Sequence, residues 1–101
     1  MKKKTEVTIR TSELCSATGC STETVVSLVE YGILDPGGSS PDEWMFEEQQ
    51  VYRVRKALRL KQDFGTDFAG AALAMELLEK LEQVRLENRM LRQRLERFLS
   101  D

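Results

Sequence analysis

The C-terminal third leaves a chain of this kind little choice of shape. From Ala71 to Asp101 there is neither glycine nor proline, and Leu77, Leu81, Val84, Asn88, Leu91, Leu95 and Phe98 follow at intervals of 4, 3, 4, 3, 4 and 3 residues. This spacing is that of a heptad seam, which keeps an apolar stripe on one side of a helix. The segment is expected to be one long helix, bent near residues 76–80, where the apolar phase changes. A stripe of that length needs a cover, and a second copy of the chain supplies it. Those seven residues are therefore read as the dimerisation seam of a homodimer. Roughly three heptads make a weak free-standing coil, so packing on the rest of the chain must help. Asn88 lies on the seam. Such an Asn either meets its mate and fixes register and strand number, or sits in a frayed, wet place; both readings stay open. So does the direction of the pair. Parallel helices would set Glu87 beside Arg92 but Lys80 beside Arg85.

Charge is the second constraint. The net value is only −2 over 101 residues, but it is unevenly spread. Between Thr11 and Tyr52 there is no basic residue, while eight acids occur: Glu13, Glu23, Glu30, Asp35, Asp42, Glu43, Glu47 and Glu48. Immediately afterwards, RVRKALRLK at 53–61 carries five bases and no acid. Such polarity along a chain points to charged partners. No apolar run is long enough to cross a bilayer. The N-terminal MKKKTEVTIR lacks the apolar core and cleavage site of a signal peptide. The expected location is cytoplasmic, with no membrane partner.

Enzymatic chemistry finds little support. Histidine is absent, removing the commonest general base and metal ligand. Cys15 and Cys20 have no second pair of ligands for a structural zinc, and a cytosolic chain seldom holds a disulfide. Both are read as small buried hydrophobes. No phosphate-loop or activated-nucleophile pattern occurs. No catalytic residue, metal or cofactor is expected, and nothing names a small ligand.

Local signals give the order of elements. TEVTIRT at 5–11 reads as a short strand. Ser12 is expected to cap a helix from Glu13 to Gly19, with Leu14, Cys15 and Ala17 as a small apolar face. Ser21 is expected to cap a second helix, in which Val25, Leu28 and Val29 face the core and Glu23, Ser27 and Glu30 face outward. Gly32 followed by Ile33 predicts a Schellman stop. DPGGSSPDEWMF at 35–46 is turn chemistry leading into a strand through Trp44 and Phe46, the return of a small wing. Trp44 is either a core plug or a binding anchor. A third helix is expected from Glu47 to Asp63, burying Val51, Val54, Ala57, Leu58 and Phe64, with Arg53, Arg55, Lys56, Arg59 and Lys61 mostly solvated. Gly65 ends it, Thr66 caps the next helix, and Phe68, Ala71, Ala72 and Met75 face inward. The fold class is mainly α: a winged helix-turn-helix-like domain over residues 1–75 and a coiled-coil dimerisation helix over 76–101.

That layout resembles the MerR-type winged-helix regulators, which present the second helix and wing to DNA. The chain departs from them at the contact positions. MerR proteins commonly carry Arg and Tyr there; here only Tyr31 remains, with Glu23 and Glu30 on the outward side. No effector domain or metal loop is expected beyond the coil.

A closer likeness lies in SELCSATG (12–19), EYGILDP (30–36), EWMF (43–46) and LENRMLRQRLERFL (86–99). In that order they resemble the CbpM family of bacterial chaperone modulators, across nearly the whole chain. The resemblance implies binding to the J-domain of a DnaJ-like co-chaperone, the curved-DNA-binding protein CbpA, and inhibition of its co-chaperone and DNA-binding activities. A J-domain presents a basic helix, a suitable mate for an acidic face; opposed charge speeds encounter and excludes wrong partners. From charge and expected exposure, Glu23, Glu30, Asp35, Asp42 and Glu43 are the candidate acidic contacts, with Tyr31, Trp44 and Phe46 as apolar anchors. Each acid also has a plainer reading, as a solvated charge. Direct nucleic-acid contact is not expected, though the protein would reach the nucleoid through its partner. The alternative is a DNA-binding regulator that clamps backbone with Arg10, Lys2–Lys4 and the bases of the third helix.

Overall fold

The computed structural model describes residues 7–100; the Lys2–Lys4 tail lies outside them. Strand β1 (Thr8–Arg10) runs directly into helix α1 (Thr11–Thr18), followed by α2 (Thr22–Glu30), a 3-10 turn at Pro41–Glu43, strand β2 (Met45–Glu47), α3 (Gln50–Phe64) and α4 (Phe68–Ser100). The two strands pair antiparallel with Ile9 opposite Phe46. A bridge between Gly37 and Met45 closes the wing.

The helix-turn-helix is held by its end groups. Helix α1 begins at Thr11, two residues before the expected start, and Ser12 does not cap it. The Glu13 carboxylate accepts from the Arg10 N–H at 2.8 Å, satisfying one free donor as soon as the strand ends. At α2 the expectation holds: the Ser21 hydroxyl accepts from the Thr24 N–H at 3.1 Å. At its other end Gly32 takes φ +79°, and the Gly32 and Ile33 N–H groups reach the Val29 and Leu28 carbonyls at 3.0 and 2.9 Å. This is the Schellman pattern, and it turns Ile33 and Leu34 into the core.

Helix α3 starts at Gln50, not Glu47, because Glu47 is used by β2 opposite Thr8 and the Glu48 N–H reaches back to the Val7 carbonyl. Phe64 is 70% exposed, contrary to expectation. It is the last residue of α3, and the aromatic packed against the core at this end is Phe68, with Lys61 Nζ 5.1 Å from its ring centre. The cap of α4 is Asp67, not Thr66: its carboxylate accepts from the Gly70 N–H at 2.9 Å. A Cβ at position 70 would overlap the Thr66 hydroxyl, so a larger residue there would force the Thr66 side chain to shift.

The core joins Leu14 of α1, Val25 and Leu28 of α2, Ile33, Leu34, Phe46, Val54 and Ala57 of α3, and Met75 of α4. Cys15 and Cys20 are partly buried free thiols against this cluster. Burial stops at Met75, but α4 does not: it continues for 33 residues in all, about 50 Å at 1.5 Å per residue. Every residue from Glu76 to Ser100 is exposed.

Candidate partner-binding surface

The acids of the base-free tract do not retreat into the fold. Glu23, Glu30, Asp35, Asp42 and Glu43 are all exposed. Glu23 sits in the first turn of α2, where the helix dipole favours it. Glu30 sits in the last turn, where the dipole opposes a negative charge, and no base accompanies it there. Tyr31 follows, half exposed. Asp42 and Glu43 occupy the 3-10 turn of the wing, with the Ser39 hydroxyl donating to Glu43 at 3.0 Å.

The candidate anchors divide. Trp44 is partly exposed, standing edge-on to Phe46 with ring centres 6.0 Å apart. Phe46 is fully buried. It faces inward from β2 opposite Ile9 and is a core residue, so it is withdrawn as a surface anchor.

Asp35 is held by a residue the sequence did not single out. The buried Gln50 side-chain oxygen accepts from the Asp35 N–H at 3.0 Å, and its nitrogen donates to the Asp35 carbonyl at 3.3 Å. One turn along α3, Arg53 Nε donates to the Ile33 carbonyl at 2.7 Å, and its NH1 pairs with Glu79 of α4 at 2.6 Å. Two α3 side chains thus fasten the backbone between α2 and the wing, leaving the Asp35 carboxylate outward. No local pattern could have revealed this, since the contacts span 15, 20 and 26 residues.

The bases of α3 are correspondingly not a free patch. Arg53 is engaged as above, Arg55 donates to the Ala17 carbonyl at 3.0 Å near the end of α1, and Lys61 lies on Phe68. Lys56 and Arg59 remain exposed. Arg53 also borders two grooves, of about 650 Å³ towards the wing and about 410 Å³ towards α4. Among the described residues no three of His, Cys, Asp and Glu are grouped to hold a metal ion. No described helix is long and apolar enough to cross a membrane.

The seam residues of α4 share one stripe, and the single chain leaves it bare: Leu77 is 56%, Leu91 61% and Phe98 77% exposed. Leu81, Val84, Asn88 and Leu95 are exposed with them.

Comparison with known proteins agrees with this architecture. Residues 9–93 match the family described as MerR HTH family regulatory protein. Chaperone modulatory protein CbpM of Pseudomonas entomophila is 42% identical over 85 residues, 84% of each chain. The CbpM proteins of Citrobacter koseri and Salmonella paratyphi A are 38% and 37% identical over 93 and 94 residues, 92% and 93% of each chain. These are regulators, not enzymes. With a wing, a helix-turn-helix and a long terminal helix matched over most of its length, the chain belongs to the MerR HTH family and, within it, to the CbpM chaperone modulatory proteins.

Proposed function

We propose that this protein binds the J-domain of a DnaJ-like co-chaperone of the CbpA type and inhibits its co-chaperone and DNA-binding activities. The observation that carries the reading is the exposed acidic surface on a helix-turn-helix: Glu23, Glu30, Asp35, Asp42 and Glu43, with no base between Thr11 and Tyr52. Tyr31 and Trp44 are the apolar contacts beside them. Carboxylates in this position repel a phosphate backbone and attract the basic helix of a J-domain. Residues 76–101 form the dimerisation unit, two copies covering each other's seam. The protein acts in the cytoplasm and reaches the nucleoid only through its partner.

The test is a titration of the purified J-domain. Glu30→Lys is expected to weaken binding about tenfold at low salt, with the difference shrinking as salt rises. An unchanged affinity would remove Glu30 from the surface.

The MerR match favours one second reading, a DNA-binding regulator. It would rely on Arg10, Lys56 and Arg59 together with the Lys2–Lys4 tail, which lies outside the described residues, since Arg53 and Arg55 are tied to backbone carbonyls. Tight, salt-sensitive retention of duplex DNA in a gel-shift assay would support it over the co-chaperone reading.

A further inference from the structure

Beyond the acidic tract, a cleft of about 410 Å³ separates the C-terminal end of α2 from the first turns of α4. Ala69 and Ala72 line it, and Tyr31 and Leu73, 51% and 57% exposed, border it from the two helices. Glu76 and Glu79 supply charge on the α4 side, and Glu30 immediately precedes Tyr31. Arg53, the one cation in the lining among the described residues, is spent: Glu79 takes its NH1 and the Ile33 carbonyl its Nε. That pairing ties the α4 wall to the segment after α2. Glu76 stands exposed at the cleft, with no hydrogen bond or ion pair from its side chain among the described residues. Ala69, Ala72, Glu76 and Glu79 recur at intervals of 3, 4 and 3 residues, so they form one face of α4. The seam of Leu77, Leu81 and Val84 runs along a neighbouring face. A second copy on the seam would leave the Ala69, Ala72, Glu76 and Glu79 face uncovered, with Leu73, four residues before Leu77, at the border of the two faces.

We propose that the cleft seats one face of an amphipathic, basic helix of the protein partner. Apolar side chains of that helix enter between Tyr31 and Leu73, and its lysines or arginines reach Glu76. Ala69, Ala72 and Leu73 beside Glu76 offer such a helix an apolar contact and a charged one. The partner's identity rests on the co-chaperone reading above. The site does not, and it makes α4 half of the docking surface.

The full-length protein is titrated, by amide NMR, with a purified J-domain and separately with a designed Leu/Lys amphipathic helix. The expected result is saturable shifts centred on Tyr31, Ala69, Leu73 and Glu76 with both. Ala69→Trp, which fills the cleft from an exposed position, and Glu76→Lys should each bind at least about tenfold more weakly while melting like the parent. If Ala69→Trp fails to fold, Glu76→Lys decides. Binding by the variants within about twofold of the parent overturns the proposal. So do shifts confined to the wing or to distal α4, and so does binding of neither probe. If the Ala69 and Leu73 signals move with protein concentration and not with added helix, a second copy occupies the cleft and the proposal falls. Should the designed helix bind there and the J-domain not, the site stands and the co-chaperone reading fails.

Discussion

In the homodimer proposed above, replacing Leu91 by serine should weaken the association of the two copies. Leu91 is 61% exposed in the single chain and lies in the middle of the distal seam. Complete burial of a leucine side chain is worth about 1.5–3 kcal/mol, so covering the exposed part contributes about 1–2 kcal/mol per copy. A two-fold interface uses each residue twice, making the loss about 2–4 kcal/mol per dimer. At 1.4 kcal/mol per decade, the dimer Kd should rise roughly 30- to 700-fold. Serine also lowers helix propensity slightly, and that part needs a control. Leu86→Ser provides it: Leu86 is 49% exposed, sits five residues earlier, and points away from the seam, so it carries the same propensity cost without the interface loss. Sedimentation equilibrium at several concentrations reads both. The reasoning is refuted if Leu91→Ser associates as tightly as the parent, or if Leu86→Ser loosens the dimer as much.

Phe46→Ala should cost about 3–5 kcal/mol as a core cavity, a large share of the stability of a small domain. Thermal melting should show it, and any loss of J-domain binding should follow the unfolded fraction; lost affinity with an unchanged melt would return Phe46 to the surface. Asp67→Ala should cost about 1 kcal/mol through loss of the α4 cap, a fall of roughly 4–8 °C in Tm for a domain of this size. Thr66→Ala should fall less in the same scan, and the reverse order would reinstate Thr66 as the cap.

Much of the fold is readable one element at a time. Ser21 as a cap, Gly32 with Ile33 as a stop and the 4-3 rhythm of Leu77 to Phe98 are local patterns, each satisfied within a turn or two of helix. Sequence and structure part where two local solutions compete. Ser12 and Thr66 are acceptable caps by residue type, but Glu13 and Asp67 bond the free N–H groups instead. Phe64 has the right helical phase to be buried, yet it stands at the end of α3, where Phe68 packs against the core. Phe46 reads as a possible anchor because alternation in a strand does not say which of its two faces is the core; pairing with β1 decides that.

The amino-acid order alone placed eight acids and no base across the helix-turn-helix and wing, and an apolar stripe along a terminal helix, because charge and periodicity are properties of the linear chain. Folding decided which of these groups face outward. It committed Arg53 and Arg55 to carbonyls far off in the chain, clamped Asp35 through Gln50, and opened a cleft between α2 and α4. Those arrangements depend on distances between residues 15 to 38 positions apart, which only packing of the helices against one another sets.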